Sequence, residues 1–332
     1  MKWVLALPVT FLAVIIIAIV VLWAGSNRFL DKEFEHTKST NKLLEFVENS
    51  SGMVSIPTAE GFSFRARIAG FDNPQSKGNL ILLHGFPETS AMWISLIKAA
   101  STAGYRVVAF DQRGYSPGAR PAKVEDYNIE YLARDVLDIA DAVGFDDFHL
   151  VGHDWGAVIG WYFANENEDR ILSLSALSVP HPKAFFEALW NDTDQQRRSR
   201  YIRFFMIPWV PERVFAFQDF KLLKNLYTDH GNSTINEYLK VFSEPQALSG
   251  ALNWYRASFR HDKMEIENFP ITIPVLFVWG NEDPAIGRAA VIAQRPMMPQ
   301  DYTEVELKSG HWLMESPERI NIIVLQHLEK VK

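Results

Sequence analysis

Short apolar runs alternate with segments of helical spacing along most of this chain, and no other feature limits its possible folds so sharply. Residues 80–83, 106–110, 148–151, 171–179, 275–278 and 302–307 have strand length, while stretches such as 131–143 and 156–164 carry apolar residues at helical intervals. Strands that are apolar on both faces and separated by helices predict a mostly parallel sheet covered on both sides, a doubly wound α/β core. Residues 53–56 and 62–68, split by Ala59-Glu60-Gly61, read as an antiparallel hairpin ahead of it. From about His181 to Met264 the alternation stops, and aromatic residues at helical spacing take its place. The expected organisation is a core of residues 51–180 and 265–332 with a helical cap, 181–264, inserted where it can close over strand ends and exclude water. A chain of 332 residues accommodates this as one large domain with an insertion.

The N-terminus stands apart. Residues 3–25 contain no charge and, at about 1.5 Å per residue, are long enough to cross a hydrocarbon core of roughly 30 Å. The run exceeds the apolar core of a signal peptide, and Leu22-Trp23-Ala24 is a poor cleavage site. The expectation is therefore an uncleaved single-pass anchor, residues 1–27, with the lipid bilayer as a partner, followed by a polar juxtamembrane helix, 28–50. Lys2 and the terminal amine on one side nearly cancel Arg28 and Lys32 on the other, which leaves the side of the membrane open. Asn49, Asn191 and Asn232 begin glycosylation triplets, a pattern common by chance. The remainder has the composition of a globular protein, 48% hydrophobic and 22% charged over the whole chain. A net charge of −7 without a Lys/Arg cluster argues against nucleic acid as a partner. The absence of cysteine excludes disulfides, thiol nucleophiles and cysteine-based zinc sites.

The most informative stretch is Leu150-Val151-Gly152-His153-Asp154-Trp155-Gly156-Ala157, a strand, a Gly-x-Asp-x-Gly turn and a helix. Its spacing is that of a nucleophile elbow, whose turn is too tight for side chains two residues before and two after the central one. Asp154 stands where esterases and lipases carry serine. A serine hydroxyl must lose a proton to attack, whereas a carboxylate is already a nucleophile at neutral pH and suits attack on saturated carbon. That attack leaves an alkyl ester, and hydrolysing the ester requires a base and an oxyanion hole.

Chain order supplies both. A triad on such a sheet runs nucleophile, acid, histidine. Asp283 lies just past the apolar run 275–278, with Glu282 beside it as the less favoured choice, and His311 lies just past 302–307. Both fall at carboxyl ends of strands, where the sites of open α/β sheets gather. His311 would take a proton from water, and Asp283 would orient its imidazole. The Trp155 N–H and the Phe86 N–H, the latter from the loop His84-Gly85-Phe86-Pro87-Glu88, are the expected oxyanion donors. His84 itself is read as a structural hydrogen-bonder.

His-Gly-Phe-Pro-Glu, Asp111-Gln112-Arg113-Gly114, Gly-His-Asp-Trp-Gly and Gly310-His311-Trp312 together resemble the epoxide hydrolases of the α/β-hydrolase fold, from about residue 50 to the C-terminus. The resemblance implies hydrolysis of lipophilic epoxides to vicinal diols through a covalent aspartyl ester. It also implies two cap tyrosines whose hydroxyls hold the epoxide oxygen. Leu252-Asn253-Trp254-Tyr255-Arg256 resembles one of the family's tyrosine motifs, which gives Tyr255. The stretch from Tyr201 to Met206, followed by Ile207-Pro208-Trp209 and Glu212, resembles the other and gives Tyr201, with Met206 where the family usually has glutamine. Cap aromatics such as Phe185, Phe186, Trp190 and Trp209 would suit a lipophilic pocket, and Asp111 and Arg113 read as a structural turn.

Two other readings compete. A dehalogenase uses the same aspartyl ester, but haloalkane dehalogenases typically carry Asn where Phe86 stands, and fluoroacetate-type enzymes prefer Arg where Trp155 stands. A non-catalytic, membrane-tethered binding module would predict a broken triad, and this one is intact. No metal or organic cofactor is expected, because nucleophile, base and oxyanion donors are all protein groups and no His/Asp/Glu cluster has ligand spacing. Water is the only expected co-substrate.

Overall fold

The computed structural model describes residues 6–30, 52–227, 230–259 and 271–331, with the side chains of the first segment described over 14–26. Eight strands form one sheet: β1 (Gly52–Pro57), β2 (Ser63–Ala69), β3 (Gly78–Leu83), β4 (Tyr105–Phe110), β5 (Phe148–His153), β6 (Ile171–Leu177), β7 (Val275–Gly280) and β8 (Tyr302–Leu307). Their order is β1-β2-β4-β3-β5-β6-β7-β8. The pairings from β4 through β8 are parallel, and the β1–β2 hairpin is antiparallel and joins β4 antiparallel.

Sequence pattern and burial agree in β1, β2, β5 and β7, whereas β8, at the edge of the sheet, is only half-buried. β5 and β7 are buried along both faces, as near-continuous apolar runs require, whereas β1 and β2 bury alternate residues, Val54, Ile56, Phe64, Ala66 and Ile68. Around the sheet lie α2 (Ile94–Thr102) packed with α12 (Pro317–Lys330), α3 (Ile129–Ala142) packed with α4 (Trp155–Glu166), and α11 (Arg288–Gln294); the first helix, α1 (Ala6–Leu30), precedes the sheet. The chain leaves β3 toward β4 on one side and comes back to β5 on the other. The carboxyl ends of β3 and β5 therefore flank the switch point of the topology, where open α/β sheets place their ligands.

β6 stops two residues earlier than the apolar run suggested. Ser178 adopts φ +70°, a left-handed conformation that breaks the extended chain, although its N–H still donates to the Val278 carbonyl at 2.8 Å.

Between β6 and β7 the described residues form six helices: α5 (Pro182–Asn191), α6 (Thr193–Arg198), α7 (Arg200–Phe205), α8 (Val210–Leu226), α9 (Asn232–Phe242) and α10 (Ala247–Ser258). No strand occurs there among the described residues. Helix α8 is two pieces, because residues 217–220 leave helical geometry and Gln218, Asp219 and Phe220 have positive φ. Helix α10 reaches the core. Its Gly250 presses backbone to backbone on Gly114, where a Cβ on either residue would meet the other's main chain at 2.6–2.7 Å. Trp254 Nε1 donates to the Arg113 carbonyl at 2.9 Å. The Asp-Gln-Arg-Gly turn is thus the floor on which α10 rests. Asp111 ties it to Arg65 and the Ser90 N–H, and Arg113 grips Asp135 with two nitrogens at 2.8 and 2.6 Å.

Helix α1 lies along α8, where Arg213 Nη1 donates to the Trp23 carbonyl and to Ser26 Oγ at 3.3 and 3.1 Å. Among the described residues no helix is long and apolar enough to cross a membrane. The apolar run from Trp3 lies partly outside the described residues, as does most of the juxtamembrane helix expected over 28–50, so both rest on the sequence.

Candidate active site

The elbow follows from steric necessity. A Cβ on Gly152 would collide with the Gly156 carbonyl, and one on Gly156 would collide with the Leu83 carbonyl of β3. Glycine at both positions lets the chain turn from β5 into α4 against β3. The turn forces Asp154 to φ +52°, ψ −119°, a strained backbone for an L-residue of the kind held in place at functional sites. Its carboxylate emerges at the switch point. Oδ1 accepts the Phe86 N–H at 2.8 Å, and Oδ2 faces His311 Nε2 at 3.6 Å. The Trp155 N–H is the first of α4, a position without an intrahelical acceptor.

His311 and Asp283 arrive from loops beyond β8 and β7. The His311 Nδ1–H donates to Asp283 Oδ2 at 2.8 Å. Asp283 Oδ1 accepts the N–H groups of Ala285 and Ile286 at 2.7 and 3.0 Å. Burial would raise the Asp283 pKa, but the His311 charge and these hydrogen bonds outweigh it and hold the carboxyl below its usual range. Burial would likewise lower the His311 pKa; the charge of Asp283, its hydrogen bond and the nearby charge of Asp154 win and hold it well above 6.5. Glu282, the less favoured acid, is exposed.

Tyr201 and Tyr255 line the same cavity as Asp154, whose other walls include Trp155, Phe185, Phe186 and Phe259. Tyr201 lies one turn before Phe205 on α7, with ring centroids 5.3 Å apart. Tyr255 packs edge-on against Phe205, Trp155 and Phe86, and its centroid is 6.2 Å from that of Tyr201. Burial first, then the Asp154 charge, push both phenols above their ordinary pKa, so both hydroxyls keep their protons. The arrangement offers an anion and two neutral donors in the lining of one cavity. Of the other cap aromatics, Trp190 and Trp209 point outward, 68% and 53% exposed.

Several participants escaped the sequence reading. Ser178, at the end of β6, donates its hydroxyl to Asp283 Oδ2 at 2.8 Å. Strand order could have found it, since β6 lies between the strands bearing Asp154 and Asp283. Glu88 is fully buried behind the site, 2.9 Å from His153 Nδ1, within 3.3 Å of His230 Nε2, and accepts the Tyr238 hydroxyl. His153 reaches through its other nitrogen to the His311 carbonyl at 2.9 Å. His84 takes a structural place: its Nδ1 contacts the Gly85 carbonyl at 2.9 Å, and its Nε2 accepts the Gln112 N–H at 3.1 Å. Among the described residues no group of three or more His, Asp or Glu side chains is arranged to hold a metal ion.

Comparison with known proteins points one way. Residues 78–205 match the model of the alpha/beta hydrolase fold. Human Epoxide hydrolase 4 is 33% identical over 284 residues, 81% of this chain and 76% of that protein. Epoxide hydrolase 3 of Xenopus tropicalis is 31% identical over 264 residues, 76% of this chain and 71% of its own. Among solved structures, a mutant epoxide hydrolase from Bacillus megaterium, in complex with its naphthyloxy-propane-1,2-diol product, superimposes with a TM-score of 0.75. It is 25% identical and covers 83% of this chain and 99% of that one.

Proposed function

This chain belongs to the epoxide hydrolases of the α/β-hydrolase fold, and we propose that it opens lipophilic epoxides to vicinal diols through an ester on Asp154. One observation carries the mechanism: Asp154 Oδ1 already accepts the Phe86 N–H, which leaves Oδ2 as the attacking atom in a cavity that both tyrosines line. Oδ2 attacks an epoxide carbon, the carbon–oxygen bond of the ring breaks, and a hydroxyl of Tyr201 or Tyr255 stabilises and protonates the departing oxygen. Neutral phenols suit that task, because they meet charge that develops only in the transition state.

The second half uses the core. His311 takes a proton from water, the resulting hydroxide adds to Cγ of Asp154, and the Phe86 and Trp155 N–H groups receive the oxyanion; its collapse breaks the Cγ–Oδ2 bond, His311 returns its proton to the departing oxygen, and the proton of the new carboxyl replaces the one the tyrosine gave up. Esterification prepares this step. In the free protein the Asp154 carboxylate helps hold a proton on His311, and forming the ester removes that charge. The imidazole is then freer to act as a base. Asp283 orients it throughout.

The apolar walls favour lipophilic substrates, and the aryl ether diol bound by the Bacillus megaterium protein is of that kind. The dehalogenase reading keeps Asp154 but gives the tyrosine pair no task. The uncharged run 3–25 supports membrane anchoring of the full-length chain; retention in the membrane pellet after alkaline carbonate extraction would test it, and release would overturn it. For the chemistry, one turnover in ¹⁸O-water should give unlabelled diol and leave the label on Asp154. Labelled diol in the first turnover would mean direct attack by water and would remove Asp154 as nucleophile.

A further inference from the structure

The geometry points to Ser178 as a positioning residue that sets how tightly His311 holds its proton during ester hydrolysis, an inference that rests on reading His311 as the base. Three atoms form a closed triangle: Ser178 Oγ lies 2.8 Å from Asp283 Oδ2 and 2.9 Å from His311 Nδ1, and the last two are 2.8 Å apart. The Ser178 hydroxyl donates to the same carboxylate oxygen that accepts the His311 Nδ1–H.

Local preference does not explain a serine here. Ser178 is fully buried, and its φ of +70° is one at which glycine would be at ease and a side chain is strained. What the side chain adds is one donor. With it, the Asp283 carboxylate accepts from four protein donors: the Ala285 and Ile286 N–H groups on Oδ1, and Ser178 and His311 on Oδ2. A carboxylate oxygen that already accepts a hydroxyl proton offers less charge to the imidazolium. Ser178 therefore weakens the grip of Asp283 on His311 and leaves the imidazole a base that is neutral over a wider range of pH.

The fold makes this role available to few residues. β6 lies between β5, which leads into the nucleophile, and β7, which leads to the acid, so the residue after β6 falls between the two strand ends. At Ser178, where the strand kinks, the hydroxyl meets Asp283 and His311, while the N–H stays bonded to Val278.

The test compares Ser178→Ala with Ser178→Gly in the full-length protein. Both lack the hydroxyl, but only alanine retains the strain at φ +70°. Decay of the preformed ester is followed by quenched flow and intact mass across pH, with unfolding midpoints measured in parallel. Loss of the donor should raise the pH of the acid limb by about 0.5 to 1 unit in both variants, slowing decay about three- to tenfold on the limb, while ester formation keeps its own pH profile. An unmoved acid limb in Ser178→Gly would overturn the proposal, whatever the alanine variant does. A wild-type ester whose decay shows no acid limb would overturn the base assignment first, and this inference with it.

Discussion

The Nε2 of His311 and the Oδ2 of Asp154 are 3.6 Å apart, too far for a hydrogen bond and near enough for strong charge coupling. In the proposed mechanism the two side chains act in succession, one on the epoxide and one on water. Replacing His311 by Gln should spare the first act and abolish the second. Incubation with a lipophilic epoxide should then raise the intact mass by one substrate equivalent, with multiple turnover down at least roughly a thousandfold. Undiminished turnover would dismiss His311 as the base.

The tyrosines should show the opposite pattern. Tyr255→Phe and Tyr201→Phe keep the edge-on packing around Phe205 and remove only hydroxyls. Each should slow ester formation by about ten- to a hundredfold, and the double variant by more, as expected when donors to a developing oxyanion are lost. Rapid-quench measurement of ester appearance isolates this step, and equal rates in wild type and double variant would end the tyrosine assignment.

Arg256 follows Tyr255 on α10, donating to Glu212 of α8 at 2.7 and 2.9 Å and to the Ile207 carbonyl at 2.9 Å. Both partners of this ion pair are buried. Arg256→Ala would leave Glu212 uncompensated, at a cost of about 3–5 kcal/mol. Urea denaturation should show that loss, and Arg256→Ala with Glu212→Ala together should be less damaging than Arg256→Ala alone.

Glu88 predicts a pH dependence of stability. Burial would raise its pKa, but the ion-pair contact with His153 and the contact with His230 outweigh it and hold the folded-state value well below the ordinary 4.5. A carboxylate depressed on folding stabilises the native state above its unfolded pKa and loses that contribution as pH falls toward its folded one. The urea midpoint of the wild type should therefore drop as pH is taken from about 5 toward 3. In Glu88→Gln the midpoint should start lower and change less over the same range; parallel curves would show that the ion pairs contribute nothing.

Much of the sheet could be read in the sequence because its signal is local. An apolar run of six residues bounded by turns announces a buried strand wherever it lies, and glycines at 152 and 156 announce a tight turn through their own sterics. Asp154 and Asp283 each follow such a run and His311 follows the alternating strand β8, so strand ends and chain order sufficed to nominate them. Partnerships set by sheet order carried no such mark. Ser178 sat inside what read as an unbroken strand until its positive φ ended the run at Leu177. Glu88 and His153 look like ordinary members of their motifs, and only the adjacency of β3 and β5 brings them within 2.9 Å.

The floor beneath α10 has a wider consequence. In the proposed mechanism ring opening uses hydroxyls carried by the cap and ester cleavage uses groups carried by the sheet, and α10 meets the sheet domain at a glycine-on-glycine contact beside Trp254. A lineage that kept this joint could exchange the helices above it, and with them the preferred epoxide, while inheriting the hydrolytic apparatus unchanged. Laboratory grafting of caps should succeed or fail on the same criterion: whether the incoming helix brings a glycine to rest on Gly114.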